Sequence, residues 1–288
     1  MKKYLYYAFV CLVTISACNQ SKDITPTDNF LNEITELKTM HKDGLYLAMS
    51  AFKKNATTSS SNDLVLNEKE MINDILTNLK GAHFIASDEF IDSFSNNYSS
   101  KKIFGDNDTN ELQAIHDAGI NQLYNESQML LVQPFLDKLI TTNDFIKVKK
   151  IASDFQNKVI LSQLVREEKI QLLSLSTSVE ALSEFIAEGG DDAIRQRLSQ
   201  MKETNPSARV DAAGCSVNWR SVWAGAVVGF VSGAVGGCYA GATAGTVAVP
   251  IVGTVTGCVS AGVASGAVGF AGGVASGIAS ELLTSCFR

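Results

Sequence analysis

Few residues of this chain have the types and spacing that catalysis or metal binding requires. The three histidines, His41, His83 and His116, lie far apart, and none belongs to a His-Glu-x-x-His pair or to another known spacing of zinc ligands. The sequence also lacks the Gly-x-Ser-x-Gly turn of serine hydrolases and the glycine-rich phosphate loop. We therefore predict that the chain is not an enzyme and has no catalytic residues, no metal and no cofactor.

Carboxylates and amides come closest to a metal site at 106–110. This segment begins like a calcium loop, but Glu111 stands where that loop needs glycine, and Asp117 takes the place of the final glutamate. A loop that ends in a helix N-cap before Leu112 explains the same residues better. Two further pairs of carboxylates are adjacent in sequence and would diverge on a helix, so we interpret them as solvated surface: Glu167-Glu168 and Asp191-Asp192.

The first residues have the pattern of an export signal. Lys2 and Lys3 precede an apolar run over 4–15 that is shorter than the roughly 20 residues of a membrane-spanning helix. The run ends in Ile15-Ser16-Ala17-Cys18, which resembles the lipobox of bacterial lipoproteins: an aliphatic residue, two small ones and a cysteine. The resemblance implies cleavage after residue 17, a diacylglyceryl group on Cys18 and an acylated new amino terminus.

This resemblance predicts where the protein is found. It implies a lipid-anchored protein of the bacterial cell envelope, and Asn19, in place of aspartate, is compatible by family analogy with the outer membrane. The alternative is an ordinary signal peptide with an incidental cysteine. We assign 1–17 to the signal peptide and 18–29, which is polar and contains Pro26, to a flexible tether.

The middle of the chain, 30–205, is predicted to be an acidic bundle of six to eight helices. Apolar residues recur there at helical spacing, as in Phe145, Val148, Ile151, Phe155 and Val159. Gly189-Gly190 provides a helix stop, and polar clusters at 55–62 and 95–100 are predicted loops. The net charge of the whole chain is −6, and its tail is almost uncharged, which argues against nucleic acid as a partner.

After a linker at 206–214, the tail at 215–288 has a different composition. No Asp, Glu, Lys or Arg occurs from Ser221 to Ser280, and small residues recur at every fourth position. Residues four apart lie along one ridge of a helix, so a ridge without bulk lets another backbone approach closely. The two arrays are Gly225, Gly229, Gly233, Gly237, Gly241 and Gly245, then Gly253, Gly257, Ala261, Ser265, Gly269, Gly273 and Gly277.

The spacing resembles the glycine zippers of bacterial envelope lipoproteins and of some membrane-active peptides. The resemblance implies close helix packing at a membrane. Two helices over 222–245 and 251–283, each long enough to cross a bilayer, would form an antiparallel hairpin about Pro250. The fold class is thus all-α: an acidic bundle followed by a Gly/Ala-rich hairpin. Trp219, Arg220 and Trp223 suit either an interfacial anchor or a packed junction with the bundle.

Cysteine positions agree with a hairpin. Four cysteines other than Cys18 lie in the tail, and an exported protein meets oxidising conditions. The midpoints of two pairings fall near Pro250, so we predict nested disulfides, Cys238–Cys258 and Cys215–Cys286. Free thiols are the alternative.

Three functions are compatible with these features. The first is an envelope lipoprotein whose hairpin packs in or on a membrane or self-associates, so that its partners are the membrane and further copies of the chain. The second is a toxin or bacteriocin precursor in which the stapled tail is released near 212–214. The third is a soluble binding module whose hairpin packs under the bundle.

Overall fold

The computed structural model describes the chain in several segments: 26–58, 64–97, 111–190, 192, 195, 196, 200, 217–243, 247–250 and 257–286. The predicted signal peptide, Cys18, most of the tether, the linker at 206–214 and Cys215 lie outside the described residues. Within them the architecture is helical, which confirms the all-α class and the C-terminal hairpin.

Eight helices precede the hairpin in the described part of the chain. They are α1 (Pro26–Asn55), α2 (Glu68–Leu79), α3 (Asp88–Asn97), α4 (Glu111–Asp117), α5 (Ile120–Leu123), α6 (Glu126–Leu139), α7 (Phe145–Leu161) and α8 (Arg166–Ala187). The hairpin consists of α9 (Trp219–Thr243) and α10 (Gly257–Cys286). Four short strands complete the described elements: β1 (Ala56–Thr58), β2 (Leu64–Leu66), β3 (Ile85–Ala86) and β4 (Val247–Ala248).

Side-chain caps fix several helix starts. Asn67 accepts a hydrogen bond from the backbone N–H of Glu70 at the start of α2, and Asp144 accepts two at the start of α7. Asn125 and Gln128 form a reciprocal capping box on α6. These caps satisfy backbone donors that the first turn of a helix leaves free.

Helix α8 ends at Ala187, just before the predicted glycine stop at Gly189-Gly190. Gly189 has a φ of 78°, a left-handed conformation that favours glycine, and the N–H of Gly190 donates to the carbonyl of Phe185. A Cβ on Gly190 would overlap the ring of Phe185. The two glycines therefore turn the chain and let it pass close to a buried aromatic ring.

Two predicted loops and the predicted hairpin limits need correction. Strand β1 falls within the polar cluster at 55–62 and pairs antiparallel with β2, and α3 continues to Asn97 with Ser95 buried. Helix α9 begins at Trp219, three residues before the predicted start, and ends at Thr243. Helix α10 begins at Gly257, whereas 251–256 lie outside the described residues. Strand β1 forms through its local pairing with β2, and β4 forms through its pairing with the distant β3.

The hairpin lies at the centre of the molecule. Helix α10 packs against α1, α2 and α8, while α9 packs against α3, α4 and α5. Of the most apolar 18-residue stretch in each helix, 72% is buried in α9 and 89% in α10. Bundle and hairpin therefore share one hydrophobic core, in which Trp223, Phe230 and Phe270 are among the largest buried side chains. We call α1–α8 the sheath.

This shared core predicts that the sheath cannot fold alone. A chain that ends at residue 205 would expose the faces of α1, α2 and α8 that α10 covers. We expect it to lose the cooperative urea transition of the full chain and to bind a hydrophobic dye. A chain that lacks only 1–25 serves as the control and should unfold cooperatively. A cooperative transition in the chain that ends at 205 would contradict the shared core.

Candidate functional site: the enclosed glycine hairpin

The seam between α9 and α10 is a contact of backbone on backbone. A Cβ on Gly229 would overlap the carbonyl oxygen of Gly269, and a Cβ on Gly269 would overlap that of Gly229. A Cβ on Gly269 would also lie 3.1 Å from the Cα of Gly233. The arrangement is reciprocal, so neither helix can carry a side chain at these positions without moving away from the other.

The same contact continues toward the two ends of the hairpin. At one end, a Cβ on Gly237 would lie 2.7 Å from the carbonyl oxygen of Ala261, and one on Gly241 would lie 2.6 Å from the Ala261 Cβ. At the other end, a Cβ on Gly273 would overlap the carbonyl oxygen of Gly225. The seam therefore runs along most of both helices.

Not every position of the predicted ridge contributes in the same way. Ser265 replaces glycine opposite Gly237 and fills the space that a Cβ there would need. Gly257 is at the exposed start of α10, where a Cβ would meet nothing within 4 Å, and it contributes only its carbonyl to the contact with Gly241. Gly277 is buried. Gly245 and Gly253 lie outside the described residues.

A disulfide and a small sheet fasten the tip of the hairpin. Cys238 on α9 and Cys258 on α10 form a disulfide with their Cα atoms 4.1 Å apart. Beyond it, Val247 and Ala248 pair with β3 in the sheath. The second predicted pair, Cys215–Cys286, cannot be placed, because Cys215 lies outside the described residues.

The base of the hairpin is a packed junction with the sheath. The ring of Phe145 lies 5.0 Å from that of Trp219 and 6.2 Å from that of Trp223, both in edge-to-face geometry. Arg220 donates through Nε to the carbonyl of Ile140 at 2.7 Å. Of the two alternatives for these residues, the junction is the one present in this folded state.

The two charged residues described at the hairpin base, Arg220 and Glu281, both have polar contacts. The guanidinium of Arg220 lies 3.8 Å from a carboxylate oxygen of Glu111. Glu281 near the end of α10 accepts a hydrogen bond of 3.3 Å from the backbone N–H of Asn218. These contacts tie the two ends of the hairpin to each other and to the sheath.

His41 of α1 lies where the sheath meets both hairpin helices. Its side chain is buried, and its ring centroid is 6.3 Å from the rings of Phe230 on α9 and Phe270 on α10. Nε2 lies 3.3 Å from the hydroxyl of Ser174, whereas Nδ1 has no hydrogen-bond partner. Burial lowers the pKa of His41 to about 3, so the imidazole is neutral at pH 7.

Ion pairs hold α1 to α8 on the outer side of the sheath. Lys38 lies 3.3 Å from Glu180 and 3.2 Å from Glu184, and Lys42 lies 2.7 Å from Glu188. Burial opposes ionisation of Glu184, but hydrogen bonds and charge attraction from its lysine partners hold its pKa below the usual range. The hydrogen bond from Lys42 lowers the pKa of Glu188. These pairs are partly exposed, so each contributes modestly.

The other polar candidates are dispersed. His83 pairs with Asp43 at 2.7 Å. Nδ1 of His116 lies 3.5 Å from the side-chain nitrogen of Asn121. Glu168 accepts from the backbone N–H of Val165, so it helps to begin α8. Within the described residues no group of three His, Cys, Asp or Glu side chains could hold a metal ion, and 106–110 lie outside that part.

The sequence alone does not indicate the contact of His41 with the hairpin or the ion pairs between α1 and α8. A signal for His41 was present, because it lies four residues after Leu37 and four before Leu45, on the apolar stripe of α1. The partners of an ion pair on distant helices have no such signal. No protein-family model, no curated protein and no solved structure matches this chain.

The seam predicts opposite effects for two glycines of α9. Gly229→Ala should lower the free energy of unfolding by about 1–3 kcal/mol or more, because the new methyl group overlaps the backbone of α10. Gly236→Ala is the matched control: its Cβ would make an ordinary contact of 3.7 Å with Phe94, so it should raise stability by about 0.5–1 kcal/mol. Urea unfolding measures both, and equal effects would refute the seam.

The disulfide predicts a stability that depends on redox conditions. The bond joins residues 20 apart, so opening it should cost about 3 kcal/mol in urea unfolding. The Cys238→Ser, Cys258→Ser double variant should be destabilised by the same amount. If a reductant destabilises that variant further, the remaining effect reports the predicted Cys215–Cys286 bond; peptide mapping without reduction identifies it. A stability of the wild type that reductant does not change would contradict the role of the disulfide.

Proposed function

We propose that this protein is a lipid-anchored envelope protein that holds an apolar helical hairpin inside an acidic sheath and inserts that hairpin into a membrane. The observation that carries the proposal is the combination of length and enclosure. Both α9 and α10 are long and apolar enough to cross a bilayer, and the folded chain covers them from water. A helix that is apolar on all sides suits either a protein core or a bilayer.

The construction of the hairpin supports its movement as one unit. Its internal contacts are the glycine seam and the Cys238–Cys258 disulfide, and neither involves the sheath. In a bilayer such backbone contacts would persist, because close packing of small residues is the usual way in which membrane helices associate. The hairpin would therefore keep its structure while it exchanged sheath contacts for lipid contacts.

The outward side chains of the hairpin fit the same exchange. Phe230, which also packs on Gly266 of α10, and Phe270 are buried near His41 of the sheath and carry no polar group that lipid would leave unpaired. At the base, Trp219 and Arg220 are of the types that favour the membrane–water interface. The indole N–H of Trp223 is buried in the folded state without a partner and would gain one at that interface.

A second candidate is supported by the extent of the enclosure. With 89% of the apolar stretch of α10 buried, the hairpin could serve permanently as the core of a binding module at the envelope. In that case the sheath surface would perform the function and the hairpin would never leave. The toxin alternative shares the insertion step and adds a cut near 212–214. The experiment that follows separates insertion from a permanent core.

A cross-link between sheath and hairpin tests the proposal. A Cβ on Gly44 of α1 would lie 3.7 Å from the Cβ of Ala271 on α10, which suits a disulfide. We expect the Gly44→Cys, Ala271→Cys chain, made with Cys18→Ala to remove the lipid, to stay out of phosphatidylcholine vesicles at pH 7 in urea below its unfolding midpoint. Quenching of tryptophan fluorescence by brominated lipids measures insertion.

Matched controls make the result specific. The Gly44→Ser, Ala271→Ser chain with Cys18→Ala has side chains of similar size and cannot cross-link, so it should insert under the same conditions. Reductant should restore insertion to the locked chain, with the reduced control chain as reference for loss of the native disulfide. If the unlocked chain stays aqueous, or if the locked chain inserts equally well, the proposal is wrong.

A further inference from the structure

We propose that His41 is an acid-sensitive latch that keeps the hairpin in its sheath: the neutral imidazole packs against both hairpin helices, and its protonation favours release. This inference rests on the proposed function, because it concerns how the same hairpin leaves. Its basis is position. Among the three histidines, His41 alone is buried, and its ring lies near aromatic rings of α9 and α10 together.

The surroundings of His41 offer little to a positive charge. An imidazolium donates from both ring nitrogens, but only Nε2 has an acceptor, the Ser174 hydroxyl on α8, and Nδ1 has none. The rings of Phe230 and Phe270, whose centroids lie 6.3 Å from that of His41, carry no polar atom that could accept a hydrogen bond from Nδ1. A charge at this point would therefore be buried with Ser174 as its one hydrogen-bond partner among the described residues.

Charged groups on the packed elements do not change this balance. Helices α9 and α10 carry no Asp, Glu, Lys or Arg from 221 to 280. Glu180 and Glu184 of α8 pair with Lys38, and Glu188, which directly follows α8, pairs with Lys42.

His83, which follows α2 in the chain, also opposes protonation of His41. His83 lies near enough for its charge to lower the pKa of His41 further, and its own ring pairs with Asp43. Among the described residues, no carboxylate lies near enough to His41 to raise its pKa.

The direction of the pH effect follows from proton binding. With a folded-state pKa of about 3 and an ordinary value of 6.5, the released imidazole binds a proton throughout the window between these values, whereas the enclosed one does not. Release is therefore favoured as pH falls from about 6.5 toward 3. Between pH 7 and pH 5 this one group shifts the equilibrium toward release by about 25-fold.

The effect of His41 falls in a different pH range from the effects of the carboxylates. The lowered pKa values of Glu184 and Glu188 make their contribution to stability disappear only as pH falls below about 4.5. Burial raises the pKa of Glu33 on α1 above 4.5, so this group acts in the opposite direction and favours the folded state on acidification. An increase in release of the hairpin between pH 7 and pH 5 is therefore the effect expected from titration of a histidine and not from these glutamates.

The test measures insertion of the Cys18→Ala chain into phosphatidylcholine vesicles from pH 7 to pH 5. We expect the vesicle-bound fraction of the parent chain, expressed as an equilibrium constant, to rise about 25-fold. His41→Gln cannot titrate and can still contact Ser174, so its constant should change less than about threefold. His116→Gln, which removes a partly buried histidine that does not affect the pKa of His41, is the matched control and should keep the response of the parent.

A further arm at pH 7, in urea below the unfolding midpoint, reports insertion independently of protonation. If no chain inserts there or at pH 5, the proposed function fails and the latch fails with it. If the parent inserts and His41→Gln shows the same rise on acidification, only the latch is wrong. If His41→Gln inserts at every pH, the substitution itself has loosened the sheath, and His41→Leu replaces it as the variant that cannot titrate. The NMR titration of the folded parent gives an independent answer: a His41 ring that titrates near 6.5 overturns the latch.

Discussion

The contact on which the rest of the structure depends is the approach of two backbones along the seam of α9 and α10. It requires glycine on both helices at the same level, as at Gly229 and Gly269, because any Cβ there would overlap a carbonyl oxygen. Glycine, however, costs about 0.5–1 kcal/mol relative to alanine in a helix. Helices with this composition persist only where a second surface covers them, so the seam makes the sheath necessary in water.

This requirement explains the layout of the chain. Sheath helices surround the hairpin, with α1, α2 and α8 on α10 and with α3, α4 and α5 on α9. Ion pairs such as Lys42–Glu188 lie on the water side of α1, and His41 lies on its inner side. On this side of the molecule, α1 alone among the described elements thus separates solvent from the hairpin. The structure needs both faces of α1, since the outer one fixes it to α8 and the inner one contacts the hairpin.

Features that depend on spacing within a short stretch of chain could be predicted from the sequence, whereas features that depend on tertiary contacts could not. Periodicity alone predicts the helical class, the seam and the Cys238–Cys258 disulfide, because each depends on spacing within a short stretch of chain. The enclosure of the hairpin and the place of His41 depend on which surfaces meet after folding. Nor does any local signal predict β4, since Val247 and Ala248 become a strand only through pairing with β3.

The polar groups that the fold leaves unpaired bear on why the hairpin is enclosed. Five side-chain atoms of the described residues are buried without a hydrogen-bond partner, and the last two belong to the hairpin: Glu33 Oε2, His41 Nδ1, Tyr124 Oη, Trp223 Nε1 and Ser265 Oγ. Each unpaired buried group costs about 1–3 kcal/mol, which selection for stability alone would remove, for example through alanine at 265. Such violations of packing rules concentrate where proteins act. Here two of the five atoms lie on the hairpin and two on α1, and insertion would free His41 Nδ1 and Trp223 Nε1 for new partners, whereas Ser265 Oγ would stay in the seam.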